Sequence, residues 1–411
     1  MVVEQSDQHS STNRDNLDVA AAVEVARELL VRRFGGSPEL DEVEHLGGSG
    51  NGIVARARLA PSPFLPYRSV VVKHMPYTDS EGDDVAFLRE VVAYQFTTSL
   101  PSDVRPGPLL LAHDVESRVL VLTDIGDAQT LVDALDHADE RQRITILRQL
   151  GEQLGRMHAG TASRENDYDA LLSRMMKKNP DFAERQAERD QGLLYSIKIG
   201  QDILAAAGLE PPAEFRDYAQ HAADIQQSGR ARAFTPFDLS PDNIVVGDKI
   251  HFLDYEWAGF RNVGFDAASV IAGFPQFLFF RPFTNKESEV FLSAWRREII
   301  ETWPRYENDF NLHRLVVSSL IGWALSSVSM LCADGMDALL AMLNQGLDEQ
   351  EQAEFLRPSS QGPFTEDELL VRQDLYETFE ALSRYSSTGG EKCRAVAGFA
   401  AAVAERLSPA K

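Results

Sequence analysis

Cysteine is nearly absent: Cys332 and Cys393 are the only two in 411 residues. They are too few for a disulfide framework and lack the paired spacing of a zinc site, so both read as reduced, structural thiols. Basic charge is also scarce, with 40 Lys and Arg against 63 Asp and Glu and a formal charge of -23. Such a balance repels a phosphate backbone, which argues against nucleic acid as a partner. No uninterrupted apolar run reaches the roughly eighteen residues of a membrane span. The opening MVVEQSDQHSSTNRDN has neither the positive start nor the apolar stretch of a secretory signal. A cytoplasmic protein without a membrane partner is the expectation. Internal repeats and low-complexity arrays are missing as well.

What is present is ordinary for a soluble globular chain, 44% hydrophobic and 25% charged. The length supports two or three domain-sized cores. Much of the acid lies in DSEGDD (79–84) and DEQEQAE (348–354), which read as solvated loops and helix ends. Residues 1–16 are polar and aperiodic and read as a disordered tail. From 17 to 34, Val19, Val23, Ala26, Leu29, Leu30 and Phe34 share one helical face, and Gly35 with Gly36 supplies the stop. Short β-type runs follow, VEHL, IVARARLA and SVVVKHM, separated by GGSGNG and by the proline-rich PSPFLPYR.

A helical segment at 83–100 and two more strand-like runs, PLLLAHDVE and SRVLVLTDI, complete a β-rich half ending near residue 125. From LVDAL at 131 the pattern is helical: ERQRITILRQLGEQLGRMHAG, then 181–208, 286–302, 312–333, 335–347, 365–386 and 391–407. The exception is FTPFDLSPDNIVVGDKIHFLDYEWAG (234–259), whose IVVG and KIHFLD form one isolated hairpin turning at Gly247-Asp248. The expected fold class is α+β. A small β-rich N-terminal lobe (17–125) leads through a hinge near 123–127 into a large helical lobe (126–411) that bears one catalytic hairpin.

That hairpin carries Asp238, Asn243 and Asp254 around an apolar stretch. Two carboxylates and a carboxamide are hard oxygen donors suited to magnesium; turns that merely use Asp and Asn are the alternative. The loop LGGSGNGI holds Gly48, Ser49, Gly50 and Asn51 between two strands. It fits neither G-x-G-x-x-G nor the GK[ST] ending of a P-loop. Its amides could still cover phosphates, because missing Cβ atoms let the chain come close; a plain flexible turn competes. Lys73 ends an apolar strand, where an ammonium is costly unless paired. Glu90 on the following helix offers the partner, the arrangement that phosphoryl transfer from a nucleotide uses. In that chemistry Asp238 orients the acceptor hydroxyl and takes its proton, while Asn243 and Asp254 hold magnesium. At an ordinary aspartate pKa of about 3.9, Asp238 would already be ionised at neutral pH.

TPFDLSPDNIVV, IHFLDYEWAG and GFD together resemble the catalytic core of the aminoglycoside phosphotransferase family. These are kinase-like small-molecule phosphotransferases that also include choline, homoserine, fructosamine and macrolide kinases. The resemblance runs from about residue 44 to 270 and implies a bilobal protein-kinase-like fold. It implies catalysis by Asp238, metal ligation by Asn243 and Asp254, and phosphate binding by Lys73 with Glu90. LGRMHAG, with His158, resembles the family's leucine-histidine segment. VLVLTDIG resembles its lobe linker, which implies that Thr123 and Ile125 meet the adenine edge. The implied cofactors are ATP, with GTP as an alternative, and magnesium. Pro236 and Phe237 stand where the family has His-Gly, which bears on loop geometry; Phe237 would instead anchor the loop in the core.

A protein kinase needs a long activation segment closed by an APE-type element after its metal aspartate. Here Asp266 follows Asp254 closely and no such element appears, so the expected acceptor is a small-molecule hydroxyl. An aminoglycoside or other amino sugar suits the acidic chain. A choline, homoserine, sugar or macrolide acceptor, or a catalytically impaired nucleotide-binding regulator, are the alternatives. Glu256 and Trp257 are candidates to line the acceptor pocket, against core packing of Trp257. Asp266 either caps the next helix, the cheaper explanation, or braces the catalytic loop from behind. His158 reads as a packed, hydrogen-bonded core histidine. The aromatics of FPQFLFFRPF (274–283) are expected mostly inside.

Overall fold

Apolar residues at helical spacing give α1 (Glu4–Phe34) one adhesive face. Ala22, Val23, Ala26, Leu29 and Leu30 pack on it against Val70, Val72, Leu111 and Val121. The helix reaches into the stretch read as a tail, and Val19 is among the residues packed against this core. Gly35 ends it in the left-handed region (φ 76°), where its N–H still meets the Val31 carbonyl at 2.9 Å. The structure, a computed structural model, describes residues 4–47, 52–76, 81–227, 229–277, 283–333, 339 and 353–408. The helix expected at 335–347 lies outside these residues except for Leu339, as do residues 79–80 and 348–352 of the two acid runs, whereas Glu81 to Asp84 open a helix.

Two compact units result, Met1–Pro101 with Gly107–Ala128, and Ser102–Pro106 with Gln129–Lys411. The first is built on a five-stranded antiparallel sheet. Its strands are β1 (Leu40–Gly47), β2 (Ile53–Leu59), β3 (Ser69–His74), β4 (Leu110–Asp114) and β5 (Val119–Thr123), in the order β1-β2-β3-β5-β4. Side chains alternate between the two faces of a strand. Val70 and Val72 therefore face α1, and Lys73 faces the opposite way, where α2 (Glu81–Thr98) supplies Glu90.

The second unit is mostly helical: α3 (Leu131–Asp136), α4 (Glu140–Thr161), α5 (Glu165–Lys178), α6 (Pro180–Ala206), α7 (Ala213–Gln227), α8 (Gly264–Ile271), α9 (Asn285–Ile299), α10 (Asp309–Ala333), α11 (Glu366–Ser386) and α12 (Glu391–Leu407). Capping boxes start three of them, at Asp139, Thr284 and Thr365. By length and composition α10 could cross a membrane, but its most apolar window is 78% buried inside the protein. Packing against α6, α7, α8 and α11 explains its apolarity. A Cβ at Gly151 of α4 would collide with the Phe291 carbonyl of α9, so glycine lets these two helices approach closely.

Within this unit the expectation of one isolated hairpin needs correction. β8 (Ile244–Val246) and β9 (Ile250–Phe252) do pair around the Gly247 turn, but β6 (Gln129–Thr130) adds a third strand. A separate ladder joins β7 (Arg232–Thr235) to β10 (Gly259–Asn262), with Thr235 opposite Gly259. Strands of two and four residues are too short to show a two-residue period in sequence. The segment Ser102–Pro106 docks on the same framework, as the Phe252 N–H donates to the Pro106 carbonyl at 2.8 Å. The α+β class is as expected.

Leu30 is fully buried between α1 and the sheet. Leu30→Ala is expected to destabilise the protein by about 2–5 kcal/mol, read as a lower midpoint in urea unfolding; an unchanged midpoint would mean that α1 is not part of the first unit's core.

Candidate active site

Of the site residues expected in the first unit, Gly48, Ser49, Gly50 and Asn51 lie outside the described residues. Lys73 and Glu90 are brought together. The Lys73 Nζ lies 2.8 Å from the Glu90 Oε1, with side chains 11% and 1% exposed. β3 is an interior strand, with Val54 on one side and Leu120 on the other, so the ammonium starts from a rigid position. Thr123 is bound into the end of the sheet. Its N–H donates to the Leu109 carbonyl and its hydroxyl accepts from the Leu109 N–H, both at 2.9 Å. Asp124 caps the turn that follows, accepting from the Gly126 N–H at 2.9 Å and the Ser69 hydroxyl at 2.6 Å. Ile125, partly buried, lies inside that turn.

In the second unit β7 leads directly into the loop that holds Asp238. The Ser240 N–H donates to the Asp238 Oδ1 at 3.1 Å, and the Asn243 amide donates to its Oδ2 at 3.4 Å. Asn243 in turn is fixed to the strand that brings Asp254, because its carbonyl accepts from the Leu253 N–H at 2.8 Å. Asp254 itself sits in the left-handed region, φ 57°. Burial pushes the Asp238 carboxyl up to about 7; the Ser240 N–H pulls it down, and the charges of Asp254, Glu256 and Asp242 add to the rise. This corrects the expectation of an ordinary aspartate, since neighbouring charge and desolvation are tertiary effects.

The carboxamide oxygen of Asn243 and the carboxylate of Asp254 have the donor chemistry that suits a magnesium ion. Among the described residues no cluster of three or more His, Cys, Asp or Glu side chains forms a metal cage. Magnesium is commonly held by one or two carboxylates, with nucleotide phosphates and water completing its shell. The carboxylates crowded around Asp238 are also the kind of negative charge that a divalent cation offsets.

Phe237 explains how the loop keeps its shape. The Asp238 N–H donates to the Pro236 carbonyl at 2.9 Å, a three-residue turn that forces Phe237 to φ 67°. For a residue other than glycine this region costs about 1–2 kcal/mol. The ring offsets it by packing. It stacks on Trp323 with centroids 5.1 Å apart, the Arg261 guanidinium lies over it at 4.6 Å, and it is 8% exposed. Trp323 is itself fixed, its Nε1–H donating to the Phe265 carbonyl at 2.7 Å.

Behind the loop lies a buried polar chain. The Trp295 Nε1–H donates to the His158 Nδ1 at 3.0 Å, so the proton of a neutral imidazole is on Nε2, which reaches the Asp266 Oδ2 at 3.1 Å. Burial raises the Asp266 carboxyl above its ordinary value, while the His158 hydrogen bond and the Arg261 charge pull it down. The cheaper expectation, that Asp266 caps α8, is not what the geometry shows. The N-cap is Val263, without a side-chain cap bond, and Asn262 instead takes the Gly264 N–H at 2.9 Å. Trp295 was missed from sequence, because nothing local marks a helix tryptophan as the partner of a histidine on another helix.

A cavity of about 590 Å³ opens beside Asp238. Trp257 lines it, whereas Glu256 acts through its charge on Asp238. Phe274 and Phe277 also line it; Phe274 and Phe283 are buried, and 278–282 lie outside the described residues. One wall is held from α11, where the Asp374 Oδ1 accepts the Gln276 N–H at 2.8 Å.

Residues 72–308, more than half of the chain, match the phosphotransferase enzyme family. No curated protein matches the chain. Among solved structures it is similar to choline kinase LicA from Streptococcus pneumoniae, at 16% identity and TM-score 0.41, covering 80% of this chain and 96% of that one. It is also similar to a choline kinase from Cryptosporidium parvum Iowa II, at 10% identity and TM-score 0.46, covering 92% and 99%. An ADP-bound aminoglycoside phosphotransferase is similar at 13% identity and TM-score 0.41, covering 77% and 95%.

Strain and packing at Phe237 can be separated. Phe237→Ala loses the ring and keeps the left-handed backbone, while Phe237→Gly loses the ring and releases the strain. Both should be less stable than the parent, with the glycine variant more stable than the alanine variant by about 1 kcal/mol. Chemical denaturation measures this; the opposite order would mean that the turn relaxes once the ring is gone.

Proposed function

Because this chain belongs to the phosphotransferase enzyme family, we propose that it moves the γ-phosphoryl group of ATP to a hydroxyl of a small molecule through the Asp238 loop. The family match spans Lys73, Glu90, Asp238, Asn243 and Asp254 together. The observation that carries the reading is the linkage of Asp238 to Asn243, and of Asn243 to the strand bearing Asp254. This couples a proton acceptor to a pair of hard oxygen ligands.

In this reading the acceptor oxygen bonds to the γ-phosphorus as the bond from that phosphorus to the β–γ bridging oxygen breaks. ADP leaves, and the acceptor's proton passes to the Asp238 carboxylate. Lys73, kept in place by Glu90, binds phosphate oxygens of the nucleotide. Asn243 and Asp254 would hold magnesium, which when bound would supply positive charge against the phosphates. Most of the rate comes from positioning and charge, because a loose phosphoryl transition state asks little covalent work of the protein. Thr123 and Ile125 are assigned to the nucleotide base, with GTP as the alternative donor. Trp257 is assigned to the acceptor pocket, and His158 and Asp266 to support of the loop. Use of ATP agrees with a cytoplasmic location.

A nucleotide-binding protein without catalysis is the competing reading, raised by Pro236-Phe237. The retained hydrogen bonds of Asp238 favour an active enzyme. Asp238→Asn is expected to lower phosphotransfer by about 10²–10⁴-fold while nucleotide affinity stays near the parent value, measured by ADP release and by direct nucleotide titration. Full activity in that variant would rule out the assignment. Asp254→Ala should weaken magnesium-dependent nucleotide binding; unchanged affinity would move the metal ligands elsewhere.

A further inference from the structure

Arg56 is a cation on β2 that the proposed chemistry leaves without a role. Ala57 and Leu59 of that strand pack toward α1, and side chains alternate, so Arg56 points to the opposite face. Register places Arg56 across from Val71, and Val54 across from Lys73. Val71 and Lys73 in turn stand opposite Leu122 and Leu120 of β5. Arg56 and Lys73 therefore share one face of the sheet, two residues or about 7 Å apart along the strands. Val54 and Val71 lie on the same face, apolar and only half-buried.

The Arg56 guanidinium closes on the turn that follows β5. Its Nε lies 2.9 Å from the Asp124 Oδ2, its Nη2 donates to the Gly126 carbonyl at 3.1 Å, and its Nη1 donates to the Asp127 Oδ1 at 3.0 Å. Nη1 also donates to the Glu44 Oε2 of β1 at 3.2 Å. Glu44 and Asp127 are exposed, and pairs of that kind contribute little. The Asp124 side chain is 8% exposed, so its pair with Arg56 is the one that fixes the turn. Burial pushes the Asp124 carboxyl up, but the bonds from Ser69 and the Gly126 N–H and the Arg56 charge outweigh it; the group lies below its ordinary value and stays charged.

One guanidinium thus joins β1 and β2, the strands on either side of the Gly-rich stretch, to the turn assigned to the nucleotide base. Both peptide groups of Gly126 are taken, its N–H by Asp124 and its carbonyl by Arg56. The peptide groups of Ile125, one residue earlier, are left for a base edge. A second phosphate-binding role for Arg56 is disfavoured, because its guanidinium is already occupied by oxygens of Asp124, Gly126, Asp127 and Glu44.

We propose that Arg56 is a positioning residue for the nucleotide base: it holds the 124–127 turn beside the face that bears Lys73, so that a purine rests on Val54 and Val71 with its edge at Ile125. The proposal rests on the phosphotransferase reading and adds a residue that acts on the base and not on the phosphates. Charge-assisted bonds to a part-buried carboxylate are strong enough to set the shape of a short turn.

The test is titration of the protein with magnesium ATP and with magnesium tripolyphosphate, a probe that has the phosphates without the base. In Arg56→Met the dissociation constant for ATP should rise about tenfold, while that for tripolyphosphate stays at the parent value. Lys73→Met should weaken both. Arg56→Lys keeps a charge for Asp124 but loses the planar fork that also reaches Gly126, so its ATP affinity should fall between those of the parent and Arg56→Met. Equal loss of ATP and tripolyphosphate binding in Arg56→Met, read beside its urea midpoint, would make the residue's role one of general stability and overturn the proposal. Unchanged ATP affinity in Arg56→Met would overturn it as well, and the phosphotransferase reading survives either result. A parent protein that binds neither probe overturns that reading and the proposal together.

Discussion

The packing of one ring, Phe237, is the constraint on which the second unit's site depends. Its backbone occupies a region that disfavours any side chain, at φ 67°, and it stays there because Trp323 and Arg261 hold the ring. The turn so fixed sets the direction of Asp238, and Asp238 in turn is tied to Asn243. Strain of this kind persists at functional sites when surrounding structure over-determines it. Here the surroundings are α10, which brings Trp323, and β10, which brings Arg261. Loop geometry therefore rests on packing supplied by distant elements.

A second layer works by hydrogen bonding. Trp295 on α9 selects the His158 tautomer, and His158 on α4 occupies one oxygen of Asp266 on α8. All three side chains are fully buried, where an unmatched polar group is expensive. The chain thus locks three helices at one relative rotation. Gly151, by letting α4 and α9 come close, belongs to the same device.

Electrostatics act at two scales. The net charge of -23 describes the long-range field, which salt screens over a Debye length of about 8–10 Å. At short range individual partners matter more: the Arg189 guanidinium lies over Trp257, and Arg261 lies over Phe237 and within 3.7 Å of the Asp190 carboxylate. Burial is the main cause of the raised Asp238, and the nearby charges of Asp254, Glu256 and Asp242 add to it.

By itself the sequence determined what local chemistry determines. The apolar face from Val19 to Phe34, the runs that became β1 to β5, and the hairpin from Ile244 to Phe252 were legible because they follow a helical or two-residue period. Lys73 with Glu90, and Asp238 with Asn243 and Asp254, were legible because expensive residue types stand in apolar surroundings at spacings that phosphoryl transfer uses. Strands as short as β6, β7 and β10, and the helices α5, α7 and α8, were not read as separate elements, since short or weakly periodic segments take their structure from their neighbours. Only the tertiary structure decided that Asp266 meets His158 instead of capping α8, and that Asp238 lies far from an ordinary aspartate value. It also decided that Phe237 is held in a left-handed turn by Trp323 and Arg261. Each of these depends on desolvation or on a contact between residues remote in the chain, which no local pattern encodes.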